Sequence, residues 1–282
     1  MSTLAAQKRH LAALHDIRDI MAALKNISLT EGMRLRRFLE TQQRVIDGVE
    51  RAMADFLEHY RQSAPADGNF EILLLVGSER GFCGDFNDAV LAECPKGGGT
   101  GSVVVAVGDK LGAKLEETGL TAEVVAGPTT VEDVPDTLLT VVDKLRGLNG
   151  ADGGGRLTIV HHQYDGHAIT LRRRRPLHDF SPETTSRGYP PRLNLAPQAL
   201  YPVLLDHYLF AVLHGIFYAS LAAEHQLRLQ HLQGAIEQID RRSAALTRHY
   251  NSLRQELITE EIELILLSAQ PHLRGGDKAV EQ

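Results

Sequence analysis

The sequence predicts an α/β protein, in which an antiparallel coiled coil of long N- and C-terminal helices accompanies a small Rossmann-like parallel α/β domain. Three patterns in its 282 residues favour this fold class. Both ends of the chain are helical in pattern over long stretches with few prolines, and the C-terminal stretch carries a heptad repeat. Between them, short apolar runs alternate with helical stretches, as in parallel sheets that are covered on both faces.

The N-terminal stretch predicts one long helix. Residues 4–62 contain no proline, and apolar residues recur every three or four positions, as at Leu11, Leu14, Ile17, Met21 and Leu24. This spacing predicts a coiled-coil helix of about 55 residues within an N-terminal segment at 1–64. The proline, glycine and asparagine at 64–69 are typical of a helix end.

The α/β domain is predicted at 70–176. Strands are expected where apolar residues run almost without interruption, at 70–76, 102–107, 121–125 and 156–162. Helices are expected between them, at 85–93, 109–118 and 131–148. The stretch 167–175 predicts a further, antiparallel strand, and its four consecutive arginines are typical of a solvated sheet edge. A contact with an acidic partner is the alternative interpretation of these arginines.

The C-terminal helix is predicted at 197–268, after a connector at 176–196 that is rich in proline, serine and glycine. Its heptad seam alternates steps of three and four through Leu229, Leu232, Ile236, Ile239, Ser243, Leu246, Tyr250, Leu253 and Leu257. A helix with such a seam needs a partner, and the other long helix is the nearest candidate. The helical pattern is expected to stop before Pro271, with residues 269–282 forming a polar tail.

Composition and charge argue against several function classes. The formal net charge of −6 disfavours a protein that coats nucleic acid. Two cysteines, Cys83 and Cys94, are too few for a disulfide framework and predict a reducing compartment. The most apolar runs, at 72–76 and 103–107, are strand-sized, so no direct membrane span is expected. The N-terminus lacks the pattern of a signal peptide.

One glycine-rich loop is a candidate phosphate site. Residues 77–84 follow a strand and precede a helix, where backbone amides could bind an anion. The Lys-Ser/Thr end of a Walker loop and the G-x-G-x-x-G spacing are both missing, so a structural turn is the favoured interpretation. No histidine or cysteine spacing predicts a metal site, and no catalytic set is recognisable. We therefore expect no catalytic residue, no metal and no cofactor.

Three motifs resemble the gamma subunit of the F-type ATP synthase. The loop S-E-R-G-F-C-G-D-F-N at 78–87 is similar to the family's S-D-R-G-L-C-G-x-x-N, with matches at Arg80, Gly81, Cys83, Gly84 and Asn87. E-H-Q-L-R-L at 224–229 is similar to E-H-x-x-R-M. Y-N-S-L-R-Q-E-L-I-T-E-E-I at 250–262 is similar to Y-N-x-x-R-Q-x-x-I-T-x-E-I near the family's C-terminus. The resemblance extends over almost the whole chain.

The resemblance implies a rotary function. A gamma subunit is a non-catalytic central stalk, which the c-subunit ring turns inside a hexamer of alpha and beta subunits, with the epsilon subunit beside it. The implied location is that of a peripheral membrane protein on the cytoplasmic side of the bacterial inner membrane. By the same resemblance, contacts with the beta subunit would be made by Arg228, Gln255, Thr259, Glu261 and Leu24. Arg228 would pair with a carboxylate on that subunit.

The N-terminal helix departs from the family pattern. At 20–29, the family's I-T-x-A-M-x-M-V-A-A is replaced by I-M-A-A-L-K-N-I-S-L, with Met21 and Leu24 in place of Thr and Met. These differences suggest a divergent gamma subunit, of the N-type that an alternative ATP synthase operon encodes. A second class of function stays open: a nucleotide- or phosphate-binding α/β module with a coiled-coil dimerisation arm, for which the loop at 77–84 would be the site.

Overall fold

The computed structural model describes residues 2–60, 71–94, 102–148, 156–176 and 189–274 of the chain. Two compact units are present: one is Lys25–His231, and the other combines Met1–Leu24 with Leu232–Gln282. In chain order the elements are α1 (Ser2–Tyr60), β1 (Glu71–Val76), α2 (Phe86–Ala92), β2 (Ser102–Val107), α3 (Asp109–Glu117), β3 (Glu123–Val125), a 3₁₀ turn (Val131–Asp133), α4 (Val134–Leu148), β4 (Arg156–Tyr164), β5 (Ile169–Arg174) and α5 (Pro197–Arg274).

The strands form one sheet in the order β3-β2-β1-β4-β5 in the described part of the chain. Three of the pairings are parallel, and β5 runs antiparallel to β4 at the edge. The predicted strand positions and the predicted antiparallel edge strand are therefore confirmed. At that edge, Arg173 lies 3.7 Å from Glu71 and 3.9 Å from Glu93, so acidic partners for this arginine are found within the chain itself.

Both faces of the sheet are covered, which explains why its strands are apolar almost throughout. On one face, Leu74 and Val76 of β1 belong to a core that includes Leu138 of α4 and Phe217 of α5. On the other face, a second core joins alternate residues of β1 and β2 to α2 and α3, through Leu73, Leu75, Val90, Ala106, Leu111 and Leu115. The period-two alternation of a strand sends neighbouring residues to these two cores.

Helices α1 and α5 are antiparallel within Lys25–His231. A Cβ added at Gly32 of α1 would lie 4.0 Å from Cβ of His225 on α5. Farther along α1, the side chain of Ile46 lies against Gly215 of α5. Residue numbers therefore fall along α5 as they rise along α1. The amide of Gln42 donates to the carbonyl of Ala211 at 2.9 Å. The predicted antiparallel pairing of the two long helices is present in this unit.

The predicted heptad seam is the least exposed stripe of α5 in the second unit. Leu232 and Ile236 are buried, and the seam positions from Ile239 to Leu253 are half-buried. On α1 the stripe passes through Arg18 rather than Ile17, which is 44% exposed. Arg18 pairs with Asp240 at 2.8 Å. A charged residue at the stripe was not expected, because the apolar spacing alone pointed to Ile17.

Some predicted boundaries need correction. The predicted helix end at 268 and the tail starting at 269 are wrong, because α5 continues through Pro271 to Arg274. Proline keeps φ near the helical value, so a helix can continue through it at the loss of one backbone hydrogen bond. Residues 275–282 of the predicted tail, and 61–64 of the predicted N-terminal segment, lie outside the described residues. The predicted helix at 131–148 starts as a 3₁₀ turn before α4.

Helix α5 also contains a window that is long and apolar enough to cross a membrane, judged by length and composition alone. One-third of that window is buried. The core helix of a soluble protein passes the same test, and α5 places Val212, Ile216 and Phe217 in the core beside the sheet. Packing against the sheet is therefore a sufficient reason for the hydropathy of α5.

Candidate functional site: the loop after the first strand and its contact with the C-terminal helix

The loop at 77–85 connects β1 to α2 at the carboxyl end of the parallel strands, the edge where open α/β sheets bind ligands. Two of its residues have left-handed backbones: Phe82, with φ 64°, and Gly84, with φ 59°. A Cβ at Gly84 would overlap the imidazole of His231 on α5, so only glycine fits there. The loop is thus shaped for close contact with a helix distant in sequence.

Ser78 and Asn87 close the base of the loop. The side-chain oxygen of Asn87 accepts the Ser78 backbone amide at 2.9 Å, and its amide nitrogen donates to the Ser78 hydroxyl at 2.8 Å. Both residues are buried. This pair uses the Ser78 amide, a donor of the kind that a phosphate on the loop would need.

Glu79 occupies the anion position at the start of α3. Its Oε2 accepts the backbone amide of Asp109 at 2.9 Å and that of Gly127 at 2.7 Å. A helix N-terminus is a favourable place for a negative charge, and here the chain supplies the carboxylate itself. This occupancy argues against the alternative interpretation of the sheet edge as a nucleotide- or phosphate-binding site.

Arg228 joins the loop to α5. Its Nε donates to the carbonyl of Gly81 at 3.0 Å, and its Nη2 donates to the carbonyl of Arg80 at 3.3 Å and lies 3.7 Å from Sγ of Cys83. The same Nη2 pairs with the carboxylate of Glu224, one helical turn earlier. Arg228 is only 6% exposed, so it is buried at the junction and is not a solvated residue of the coiled coil.

The ionisable groups around Arg228 are strongly shifted by burial. Desolvation raises the pKa of Glu224 to about 7, although Arg228 acts in the opposite direction. Desolvation also lowers the pKa of His225 to about 4, and the nearby Arg228 adds to that shift. The thiol of Cys83 has a raised pKa, chiefly because it is buried. A buried thiol with a raised pKa is a poor nucleophile, so a structural role fits Cys83 better than a reactive one.

A small apolar cluster lies beside these polar contacts. Cys83 and Phe86 pack with Ala223 of α5. The ring of Phe86 also stacks on His162 of β4, with centroids 4.0 Å apart. Burial lowers the pKa of His162 to about 4, so this imidazole is neutral at physiological pH. The loop is therefore anchored by apolar packing as well as by hydrogen bonds.

The structure divides the predicted site residues into two groups. Arg228 lies together with the loop residues Arg80, Gly81, Cys83, Gly84 and Asn87, all within Lys25–His231. The other four belong to the second unit, where Leu24 is half-buried and Gln255, Thr259 and Glu261 are exposed. The Thr259 hydroxyl donates to the carbonyl of Gln255 at 2.9 Å, within one helical turn.

The end of α5 exposes a long apolar run. Ile262 and the four residues from Leu264 to Leu267 are 51–66% exposed, although they are large and aliphatic. A monomeric soluble protein rarely leaves so many adjacent apolar side chains in water. This run begins at Ile262, the last residue of the motif at 250–262, and nothing in the described part of the chain covers it.

Sequence reasoning assigned no role to Glu79 or Glu224, although both lie within matched motifs, and it did not single out His231. Glu224 was visible as the i, i+4 partner of Arg228, but such pairs on helices are usually solvated. Burial of this pair depends on the loop returning to α5, a contact over more than a hundred positions that no local pattern records. Among the described residues, no group of histidine, cysteine or acidic side chains has the arrangement of a metal site.

Comparison with known proteins gives a consistent answer. A family model described as ATP synthase matches residues 3–270. A curated ATP synthase gamma chain from Akkermansia muciniphila is 24% identical over an alignment of 287 residues, gaps included. The alignment covers 88% of this chain and 95% of that protein. The ATP synthase gamma chain of Clostridium botulinum (strain Kyoto / Type A2) is 24% identical over 273 residues, covering 93% of this chain and 96% of its own length.

Solved structures share the fold. A chain of the Euglena gracilis mitochondrial ATP synthase, in an OSCP/F1/c-ring structure in rotational state 3, matches with a TM-score of 0.64 at 17% identity, covering 100% of this chain and 99% of that one. A chain of the rotor of the same enzyme in rotational state 1 matches with a TM-score of 0.60 at 16% identity, covering 91% and 99%.

The long helices and the five-stranded sheet therefore give the chain the fold of these ATP synthase chains. The match over residues 3–270 shows that the chain belongs to the ATP synthase gamma family. The predicted fold class and family are both confirmed.

Proposed function

We propose that this chain couples rotation to catalysis in a rotary ATP synthase, as the non-catalytic central stalk. The c-subunit ring turns the chain, and the chain in turn changes the conformations of the catalytic sites in the alpha and beta subunits. The observation that carries this proposal is the family match over residues 3–270. The occupied anion positions at Ser78 and Glu79 give it further support, because a stalk needs no nucleotide site of its own.

The proposed partners are the alpha and beta subunits, the epsilon subunit and the c ring. The exposed apolar run at the end of α5 supports a partner that encloses this helix, since burial of aliphatic surface favours association. The proposed location is the cytoplasmic side of a bacterial inner membrane, where the chain is held through the c ring rather than by a span of its own.

The proposed coupling contacts with the beta subunit lie mainly at the end of α5. Gln255, Thr259 and Glu261 are exposed and can therefore reach a second chain. Leu24 is the corresponding position on α1. Arg228 differs from these four, because its donors are already used within the chain. A direct contact of Arg228 with a beta carboxylate would require it to exchange Glu224 for the new partner.

Co-expression with the alpha and beta subunits tests the proposal. The chain is expected to co-purify with them as a complex that hydrolyses ATP, while the isolated chain binds no ATP. Removal of residues 257–282 should weaken the coupling of hydrolysis to ion transport, because it removes the exposed apolar run. The matched control removes only 275–282 and should retain coupling. Measurable ATP affinity of the isolated chain, together with failure to co-purify, would favour the phosphate-binding alternative instead.

A further inference from the structure

Glu224 is the carboxylate that makes the buried position of Arg228 possible. A guanidinium in a site of low exposure is costly unless a counter-charge and hydrogen-bond acceptors surround it. Glu224 is 3% exposed and pairs with Nη2 of Arg228, and the nearby backbone amide of Arg80 helps to lower its pKa against the effect of burial. The carboxylate therefore lies between the two members of the loop–helix junction, the arginine on α5 and the backbone of the loop.

The guanidinium in turn holds three loop residues in a fixed arrangement. Its donors reach the carbonyls of Arg80 and Gly81 and the sulfur of Cys83. The residue between them is Phe82, which is 56% exposed although Cys83 beside it is buried. Phe82 has a left-handed backbone with φ 64°, which a residue with a Cβ avoids unless neighbouring contacts hold it there.

These observations have one physical explanation in common. The loop is tied down on both sides of Phe82, so that an aromatic ring points to solvent from a strained backbone. Strain of this kind persists where the surrounding contacts over-determine it, and it is concentrated at functional positions.

We propose that Glu224 is a positioning residue, whose carboxylate holds Arg228 so that the guanidinium clamps the loop Arg80–Cys83 on α5 and presents Phe82 at the surface. The effect of this clamp on coupling rests on the proposed function. The clamp itself is a property of the isolated chain, so the two can fail separately.

The two cysteines of the chain provide the measurement. Cys83 lies under the clamp, and Cys94 lies in the other core next to α2 and α3. Both are buried and free. In a Cys94→Ser background, the rate at which a thiol reagent such as DTNB modifies the chain reports opening of the loop. In a Cys83→Ser background, the same rate reports opening of the rest of the domain.

At pH 8, above the pKa of about 7 of Glu224, Glu224→Gln should release the loop, because the neutral amide leaves the charge of Arg228 without a counter-charge. We expect the modification rate of Cys83 to rise by about tenfold or more, through local opening, and that of Cys94 to change little. Glu224→Asp retains the charge and should restore part of the protection. The matched control is Glu237→Gln, which breaks another i, i+4 glutamate–arginine pair of α5, with Arg241, that is exposed and 3.9 Å long.

The outcomes separate a clamp from a general loss of stability. Faster modification of Cys83 alone, with Glu237→Gln unchanged, supports the proposal. Equal acceleration at both cysteines, or no acceleration at Cys83, would overturn it, whether or not the variant is less stable. In the assembled complex, Glu224→Gln should lower the ratio of ion transport to ATP hydrolysis. If the unaltered chain itself fails to assemble, the proposed function is contradicted while the thiol result stands.

Discussion

Helix α5 carries apolar residues in both compact units of this chain, but the two units differ in how far they bury them. In Lys25–His231, apolar residues of α5 such as Phe217 are fully buried and even an arginine is enclosed. Beyond Leu232, the same helix leaves Leu264 to Leu267 largely in water. A hydrophobic residue on α5 therefore stabilises the chain itself in one unit and, in our proposal, a complex in the other. Stability measurements on the isolated chain should distinguish the two.

The two units also differ in how far their arginine–carboxylate pairs are buried. Arg228 is buried beside Glu224, whereas Arg18 pairs with Asp240 at a position open to solvent. Water and salt screen an exposed pair, while a buried charge depends on its partner. Removing a partner should therefore matter in the first case and not in the second.

The largest expected effect comes from truncating a core residue of α5. Phe217→Ala should lower the free energy of unfolding by about 3–5 kcal/mol, because it leaves a cavity beside the sheet. Leu266→Ala, on the same helix but 61% exposed, should change it by no more than about 0.5 kcal/mol. Denaturant unfolding of the isolated chain gives both values. Similar losses for the two variants would remove the contrast between the units.

A pH effect of somewhat smaller size is expected from the buried histidine His161. Burial lowers its pKa from 6.5 to about 4, so the folded state keeps it neutral while the unfolded state binds a proton. The stabilisation is complete above pH 6.5 and is lost as the pH falls toward 4, amounting to roughly 3 kcal/mol at most. His161→Asn should lower the slope of unfolding free energy against pH in this window by up to about one proton, and leave the slope due to His162 and His225. An unchanged slope would show that His161 titrates normally.

The left-handed glycine of the loop should come next. Gly84→Ala places a Cβ against His231 and strains a backbone with φ 59°, which should cost about 1–3 kcal/mol. Gly48→Ala is the matched control, because it lies within α1 with open space around it and should stabilise by about 0.5–1 kcal/mol. Thermal unfolding of both variants checks the opposite signs. A neutral Gly84→Ala would mean that the loop does not contact α5 in solution.

The smallest effect is expected from the exposed ion pair. Asp240→Asn removes one partner of Arg18 but leaves the pair with Asp19 and leaves the guanidinium partly in water, so the unfolding midpoint of the isolated chain should not move measurably. The comparison is sharpest at low salt, where exposed charges are least screened. A loss of stability as large as that of Gly84→Ala would show that this ion pair stabilises the fold.

Local patterns were sufficient to predict most of the fold. The continuous apolar runs of β1, β2 and β4 identified a sheet covered on both faces, and the heptad spacing identified the half-buried stripe of α5 from Leu229 onward. Local patterns were insufficient where a residue occupies a position that its type usually avoids, such as a proline within a helix or an arginine on a half-buried stripe. Pro271 does not end α5, and Arg18 lies on a stripe that apolar spacing assigned to Ile17.

The candidate site was predictable only in part. The motif at 78–87 marked the loop, and the motif at 224–229 marked Arg228, but nothing local indicated that the two would meet. The burial of Glu224 and Arg228 results from that long-range contact, and with it come the shifted pKa values of Glu224 and His225. Residue type and spacing describe one element at a time, whereas the electrostatics of this site belong to two elements together.

The claim that this chain is a rotor is tested most directly by watching it turn. Cys83 and Cys94 are buried, so Tyr189→Cys, at a position that is 68% exposed, would provide an attachment point for a bead on the chain assembled with alpha and beta subunits. With the alpha and beta subunits fixed to a surface, addition of ATP should produce rotation of the bead in one direction. Sustained ATP hydrolysis by the same complex with a stationary bead would contradict the account.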